Sequence, residues 1–156
     1  MGSHSSFKSR YPQSFSKFTE NDYMHYKEHQ REKLAAYDNS ILYNDSVVYE
    51  IMSLFKDKEA VVLYFSDHAI DVYESSDDYI SHAKIDNPVS VEAGKRIPFM
   101  IYTSSLYRQN FDGMIERIES AVDKPYCTED LIYTIMDIIA IELENVKMQG
   151  NSLLND

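Results

Sequence analysis

Asp67 and His68 stand side by side just beyond an uninterrupted apolar run, Ala60-Val61-Val62-Leu63-Tyr64-Phe65, with only Ser66 between. A carboxylate offers a hard oxygen and a neutral imidazole a borderline nitrogen, and that combination suits zinc or manganese. Two protein donors do not make a tight site, so a cation held here needs one or two more. The same dipeptide is also what a strand terminus uses to cap its next turn, through side-chain oxygens bonded to nearby backbone N–H groups. Spacing alone leaves both readings open. His25 and His29 fall on one helix face, but the neighbouring Lys27, Glu28 and Gln30 place that face in solvent. The lone cysteine, Cys127, has no partner for an internal disulfide, and ahead of an apolar helical pattern it reads as a small buried hydrophobe.

The elements around the pair follow from periodicity. Residues 1–30 mix Ser, Lys, His and aromatics without a steady period, and Arg10-Tyr11-Pro12 reads as locally extended because the position before proline avoids the helical basin. From Arg31 to Lys58, Leu34, Tyr37, Ile41, Val48, Ile51, Met52 and Phe55 recur at helical spacing. The run Ala60–Phe65 is too short for a separate helix and apolar on both faces, the pattern of a central parallel strand. In open α/β sheets ligands collect at the carboxyl ends of strands, where Asp67 and His68 stand. A polar stretch rich in Asp, Ser and Tyr runs to Arg96, and ~27 residues without strong secondary structure are unusual in a compact domain unless the loop has a task.

Ile97 to Thr103 is a second strand pattern, with Pro98 tolerable at its start. Asp112 to Val122 reads as a short helix, and Asp123-Lys124-Pro125 breaks the chain. Thr128 is placed to cap a last helix whose Leu131, Ile132, Ile135, Met136, Ile138, Ile139 and Leu143 make it apolar nearly all round, so that burial between layers is expected. Helix, strand, long loop, strand, helix, helix is an α/β pattern.

Composition bounds the function classes. The chain has 156 residues, 44% of them hydrophobic, enough for one ordinary soluble core. Its net charge of -11 and scattered Lys and Arg exclude a nucleic-acid partner, which needs clustered cations against phosphate. A bound metal can still reverse the local sign for one phosphate group. There is no run of ~18 apolar residues to span a membrane, and Met1-Gly2-Ser3-His4 lacks the charged-then-apolar start of a signal peptide, so a soluble polypeptide is expected.

Several blocks occur in one order: Gly2-Ser3-His4, Arg10-Tyr11-Pro12 with Phe15 and Phe18, Tyr37-Asp38-Asn39-Ser40-Ile41-Leu42-Tyr43-Asn44-Asp45, Val62 to His68, and Ile97-Pro98-Phe99-Met100. In that order the chain resembles the phosphoethanolamine transferases of the alkaline phosphatase and sulfatase superfamily, over about residues 2–145, with Gly150–Asp156 similar to the start of the family's closing segment. The resemblance implies an alkaline-phosphatase-like sandwich, here partial, with a mostly parallel sheet flanked by helices. It divides the chain into an irregular segment at 1–30, an α/β core at 31–145 and a tail at 146–156.

It also implies that Asp67 and His68 ligate Zn2+ or Mn2+, weakly in this chain, and that His4 and His82 face the same pocket, contacting the phosphoryl group or protonating a leaving oxygen. The family's members are anchored in the inner membrane with their catalytic domain in the periplasm. They move phosphoethanolamine from phosphatidylethanolamine to lipid A, lipopolysaccharide core or a periplasmic glycan. Their nucleophilic threonine, first metal-binding acid and membrane anchor would precede Met1, so the chain alone is expected to give no turnover. A sheet edge left uncovered in this way would favour a homo-oligomer.

The family's Asp-His is followed by Gly, where Ala69-Ile70-Asp71 stands here, and its second-loop His is preceded by Gly, where Ser81 stands before His82. Two other readings stand beside the transferase, the first because the same Asp-His geometry serves a different nucleophile and the second because of these departures. One is a sulfatase or phosphodiesterase of the same superfamily. The other is a non-catalytic, degenerate interaction domain, in which the acidic run Asp71–Asp78 is merely solvated surface.

Overall fold

A computed structural model describes residues 6–141 and 151–155. The chain divides into two compact units, Met1–Lys56 with Val62–Tyr102, and Asp57–Val61 with Thr103–Asp156.

The first unit is organised on one long helix, α1, Glu28–Ser53. Its start is fixed by Gln30, whose side-chain oxygen accepts the Lys27 N–H at 3.0 Å. The helical period read from Leu34 onward is borne out, beginning three residues earlier and ending five earlier than the expected span. What the period does not reveal is that the buried side of α1 is as much polar as apolar: Gln30, Asn39 and Ser40 are buried beside Leu34, Ala35, Ala36 and Val48.

These polar groups staple other segments to the helix. Residues 7–23 form three short 3-10 turns, Phe7–Ser9, Gln13–Phe15 and Glu20–Tyr23, which pack along α1. Asn39 Oδ1 accepts the N–H groups of Lys17 and Phe18 at 2.7 and 2.9 Å, and its Nδ2 donates to the Phe18 carbonyl at 2.9 Å. Asp38 accepts the Tyr23 hydroxyl. Tyr37 meets Phe7 edge to face at 5.2 Å, and Tyr43 meets Phe15 likewise at 5.0 Å. Asn44 Nδ2 donates to the Tyr64 hydroxyl at 2.8 Å, tying α1 to the first strand. The block from Tyr37 to Asn44 is thus a row of fasteners along one helix, used for position rather than chemistry.

Two strands of five residues, β1 (Val61–Phe65) and β4 (Phe99–Thr103), pair with each other. The Ser104 N–H donates to the Ala60 carbonyl at 3.0 Å, and the Phe65 and Phe99 rings lie 6.0 Å apart, so the end of one strand sits beside the start of the other. They run antiparallel. Between them lie a second antiparallel pair, β2 (Asp71–Val72) with β3 (Ile80–Ser81), and helix α2 (Pro88–Lys95). The mostly parallel sheet expected from the apolar run is therefore not what the described strands form. An apolar pattern records burial and not strand direction, and β1 is only half-buried, with Phe65 exposed.

In the second unit α3 (Ser105–Asn110), α4 (Asp112–Ser120) and α5 (Leu131–Ile138) follow β4. Ser104 caps α3, its hydroxyl accepting the Tyr107 N–H at 3.2 Å. Thr128 does not cap α5, since it opens a 3-10 turn that leads into the helix. The expected all-round burial of α5 is corrected as well: Thr134 and Met136 are buried, while Ile132 and Ile139 are exposed. Cys127 is exposed too, not a core residue. Leu143 lies outside the described residues.

Asn39→Ala should lower stability by about 2 kcal/mol, because two backbone N–H groups and a carbonyl would lose a buried side-chain partner. Urea denaturation of the two proteins measures it, and an unchanged midpoint would refute the stapling role.

Candidate functional site

Strand β1 delivers Ser66, Asp67 and His68 into a tight turn. The Ser66 hydroxyl donates to the His68 carbonyl at 2.7 Å, and Asp67 Oδ1 accepts the His68 N–H at 3.0 Å. The Asp67 carboxylate is otherwise in solvent, its side chain 88% exposed, and that His68 N–H together with the His68 ring holds its pKa below the usual value. It is an ionised, accessible oxygen donor.

His68 is partly buried, and its Nδ1 donates to the Ala69 carbonyl at 2.9 Å. A carbonyl only accepts, so this bond needs a proton on Nδ1, and in the neutral ring Nε2 is then the lone-pair nitrogen. His68 Nε2 lies 3.8 Å from Asp67 Oδ2. A backbone carbonyl that fixes the tautomer in this way is the usual outer partner of a metal-binding histidine. The donor pair fits one side of a divalent-cation site, with the oxygen and nitrogen close enough to share an ion. Among the described residues there is no group of three or more His, Cys, Asp or Glu side chains that could hold a metal ion.

His82 is brought beside this pair. Its ring centroid lies 4.4 Å from that of His68, with the planes tilted by 47°. The β2/β3 register pairs Asp71 with Ser81 and Val72 with Ile80, so the chain segments that carry His68, three residues before β2, and His82, directly after β3, leave the hairpin at the same end. His4 lies outside the described residues. His25 and His29 are both exposed, and His29 Nε2 lies 3.0 Å from the Asp77 carbonyl.

Sequence reasoning missed what holds the hairpin. Asp71 heads the acidic run that one reading leaves in solvent, yet it is 1% exposed. Its carboxylate accepts the Glu74 and Ser75 N–H groups at 3.0 and 3.2 Å and the Ser75 hydroxyl. Burial by itself would raise the Asp71 pKa, but the hydroxyls of Ser75 and Ser90 and these backbone donors outweigh it and hold it below the ordinary value. Gln30, buried on α1, donates to the Asp77 carbonyl at 2.9 Å and joins the loop to the helix.

Comparison with known proteins gives this arrangement its class. The sulfatase family profile matches residues 1–141, and the chain belongs to that family, whose alkaline-phosphatase-like α/β fold it therefore shares in part. Phosphoethanolamine transferase EptC of Escherichia coli (strain K12) is 30% identical over 149 residues, covering 92% of this chain and 25% of the relative. The Kdo(2)-lipid A phosphoethanolamine 7''-transferase of the same strain is 27% identical over 110 residues, covering 70% of this chain and 19% of the relative. Putative transferase YhbX, also of that strain, is 40% identical over 70 residues, covering 45% and 11%. The chain thus spans about a quarter of the length of EptC. No solved structure matches it.

Because the folded Asp71 carboxyl titrates below the 3.8 of a free aspartate, the unfolded chain takes up the proton first as pH falls. Its stabilising contribution is complete above that value and is lost as pH falls through the lower, folded-state pKa. Thermal melts from pH 6 downward should show wild-type stability declining below about pH 4, with a shallower acid limb in Asp71→Asn. Parallel limbs would refute the assignment.

Proposed function

We propose that this chain supplies the Asp-His part of the metal centre of a phosphoethanolamine transferase. The observation that carries the proposal is the Asp67/His68 pair at the end of β1, with His68 Nδ1 against the Ala69 carbonyl and the His82 ring 4.4 Å away at a 47° tilt. Asp67 and His68 would hold a divalent cation, zinc or manganese. Such an ion, when bound, supplies Lewis acidity toward a phosphoryl oxygen. Asp67 contributes its carboxylate oxygens, and the Ala69 carbonyl orients the neutral His68 ring with Nδ1 toward it and Nε2 toward the ion. His82, exposed and next to His68, is placed to hydrogen-bond a phosphoryl oxygen or to give a proton to a leaving alkoxide. His4 would share that role.

The substrates proposed for the whole protein are phosphatidylethanolamine as donor and lipid A, lipopolysaccharide core or a periplasmic glycan as acceptor. The relatives' names support the transferred group and a lipid A acceptor. An inner-membrane anchor and periplasmic catalytic domain belong to the same proposal, and no described helix is long and apolar enough to cross a membrane. The relatives' names favour a transferase over a sulfatase or phosphodiesterase.

A non-catalytic remnant is the competing reading, favoured by the absence of a third donor among the described residues. Zinc titration calorimetry separates the two. The transferase reading expects measurable binding that Asp67→Ala weakens by at least the ~10- to 100-fold that even outer partners of a metal site contribute. Asp67 is exposed, so the variant keeps its fold. No heat in either protein would overturn the metal reading and leave the remnant.

Each strand of the β1/β4 pair has one neighbour among the described strands, and a second copy pairing along an uncovered edge is part of the proposal. Light scattering should give a mass near twice 18.2 kDa, and a value at 18.2 kDa removes the dimer.

A further inference from the structure

We infer that Gly94 is the positioning residue of the His68/His82 pair, its carbonyl fixing the chain after the first ring and its missing side chain admitting the chain after the second. The inference rests on the proposed function for its chemical meaning, although the geometry behind it does not.

Gly94 lies in the last turn of α2. Its carbonyl accepts the N–H of Ala69, the residue bonded to His68, at 3.0 Å. On its other side, a Cβ added to Gly94 would come 2.4 Å from the Cβ of Ala83, the residue bonded to His82, and 3.5 Å from the Ala83 Cα. The Ala83 methyl cannot rotate away, because it is attached directly to the backbone. A side chain at Gly94 would therefore push the Ala83 backbone, and His82 with it.

The helix itself is the less yielding partner. The Asn87 side chain caps it by accepting the Val89 and Ser90 N–H groups, with Pro88 in its first turn. Ser90 from the same helix is fully buried, accepts the Lys84 N–H at 3.0 Å and bonds Asp71. Glycine within a helix is disfavoured relative to alanine. The close approach of Ala83 is the reason it is required at this place. Gly113 in α4 offers the contrast, since a Cβ there meets nothing within 4 Å.

The test reads the distance between the two rings directly, by nuclear Overhauser cross-peaks between His68 and His82 imidazole protons in the full chain. Wild type should show them, Gly94→Ala should lose them, and the double variant Gly94→Ala/Ala83→Gly, which reopens the space, should regain them. Asn39→Ala, destabilising but elsewhere in the fold, should keep them, so general loosening is told apart from displacement. If Gly94→Ala does not fold, Ala83→Val loads the same contact from the facing side and carries the same expectation. Cross-peaks that persist in the folded glycine variant, fail to return in the double variant, or vanish in Asn39→Ala overturn the inference. Zinc calorimetry on the same proteins reports separately: no binding to wild type removes the metal reading and leaves the cross-peak result standing.

Discussion

A carboxylate withdrawn from water is costly unless its lone pairs are met, and Asp71 is withdrawn almost completely. Glu74 and Ser75 meet it through their backbone, Ser75 again through its hydroxyl, and Ser90 from α2. That one carboxylate sits where three things join: the start of β2, the turn that reverses the hairpin, and the helix that carries Gly94. The hairpin itself is only two residues long on each side, too little to be stable as a ladder alone. Asp71 closes the turn and ties the hairpin to α2, between the segments that carry His68 and His82.

The same economy runs through the first unit. Tyr23, Leu34, Ala35 and Tyr73 form a small apolar cluster, joined at its margin by Tyr26, Val72 and Ile80, so one hydrophobic contact joins α1 to the hairpin. Further along α1, Asn39, Asp38 and Asn44 each meet a group from a distant segment, beside the edge-to-face contacts of Tyr37 and Tyr43. Polar fasteners need matching geometry in a way that apolar burial does not, so they hold the site-bearing segments in one register. Tyr73 shows the strain this tolerates: it takes a left-handed φ of 62° and buries its hydroxyl without a hydrogen-bond partner.

Helix α1 and strands β1 and β4 were legible because each rests on a repeated signal, helical spacing or an unbroken apolar run. The hairpin and α2 were not, because their stability comes from single side chains: Asp71, Ser75, Asn87 and Ser90 in a stretch whose average composition is that of a loop. Strand direction was misread for a related reason, since β1 would look the same in sequence whichever way its neighbour ran. Of the candidate site, the Asp67 and His68 turn stood out by type and position. The approach of His82 is a tertiary contact between two loop segments, and the demand at Gly94 rests on one interatomic distance, neither of which leaves a periodic trace.

Two departures from the family pattern can be weighed against this geometry. Ala69 and Ser81 stand where the resembling transferases carry glycine, and glycine would be needed if the backbone there had to enter the left-handed region. Neither does: the described non-glycine residues with positive φ are Ser6, Tyr73 and Ala140. The Ala69 N–H and carbonyl are both engaged, by Gly94 and by the His68 ring, so the turn after the Asp-His pair is held as firmly with a methyl group as without one. What a methyl at residue 69 changes is the room in front of the pair and not its shape. The close approach that does require a glycine lies one layer back, at Gly94, where an added Cβ would meet the Ala83 methyl.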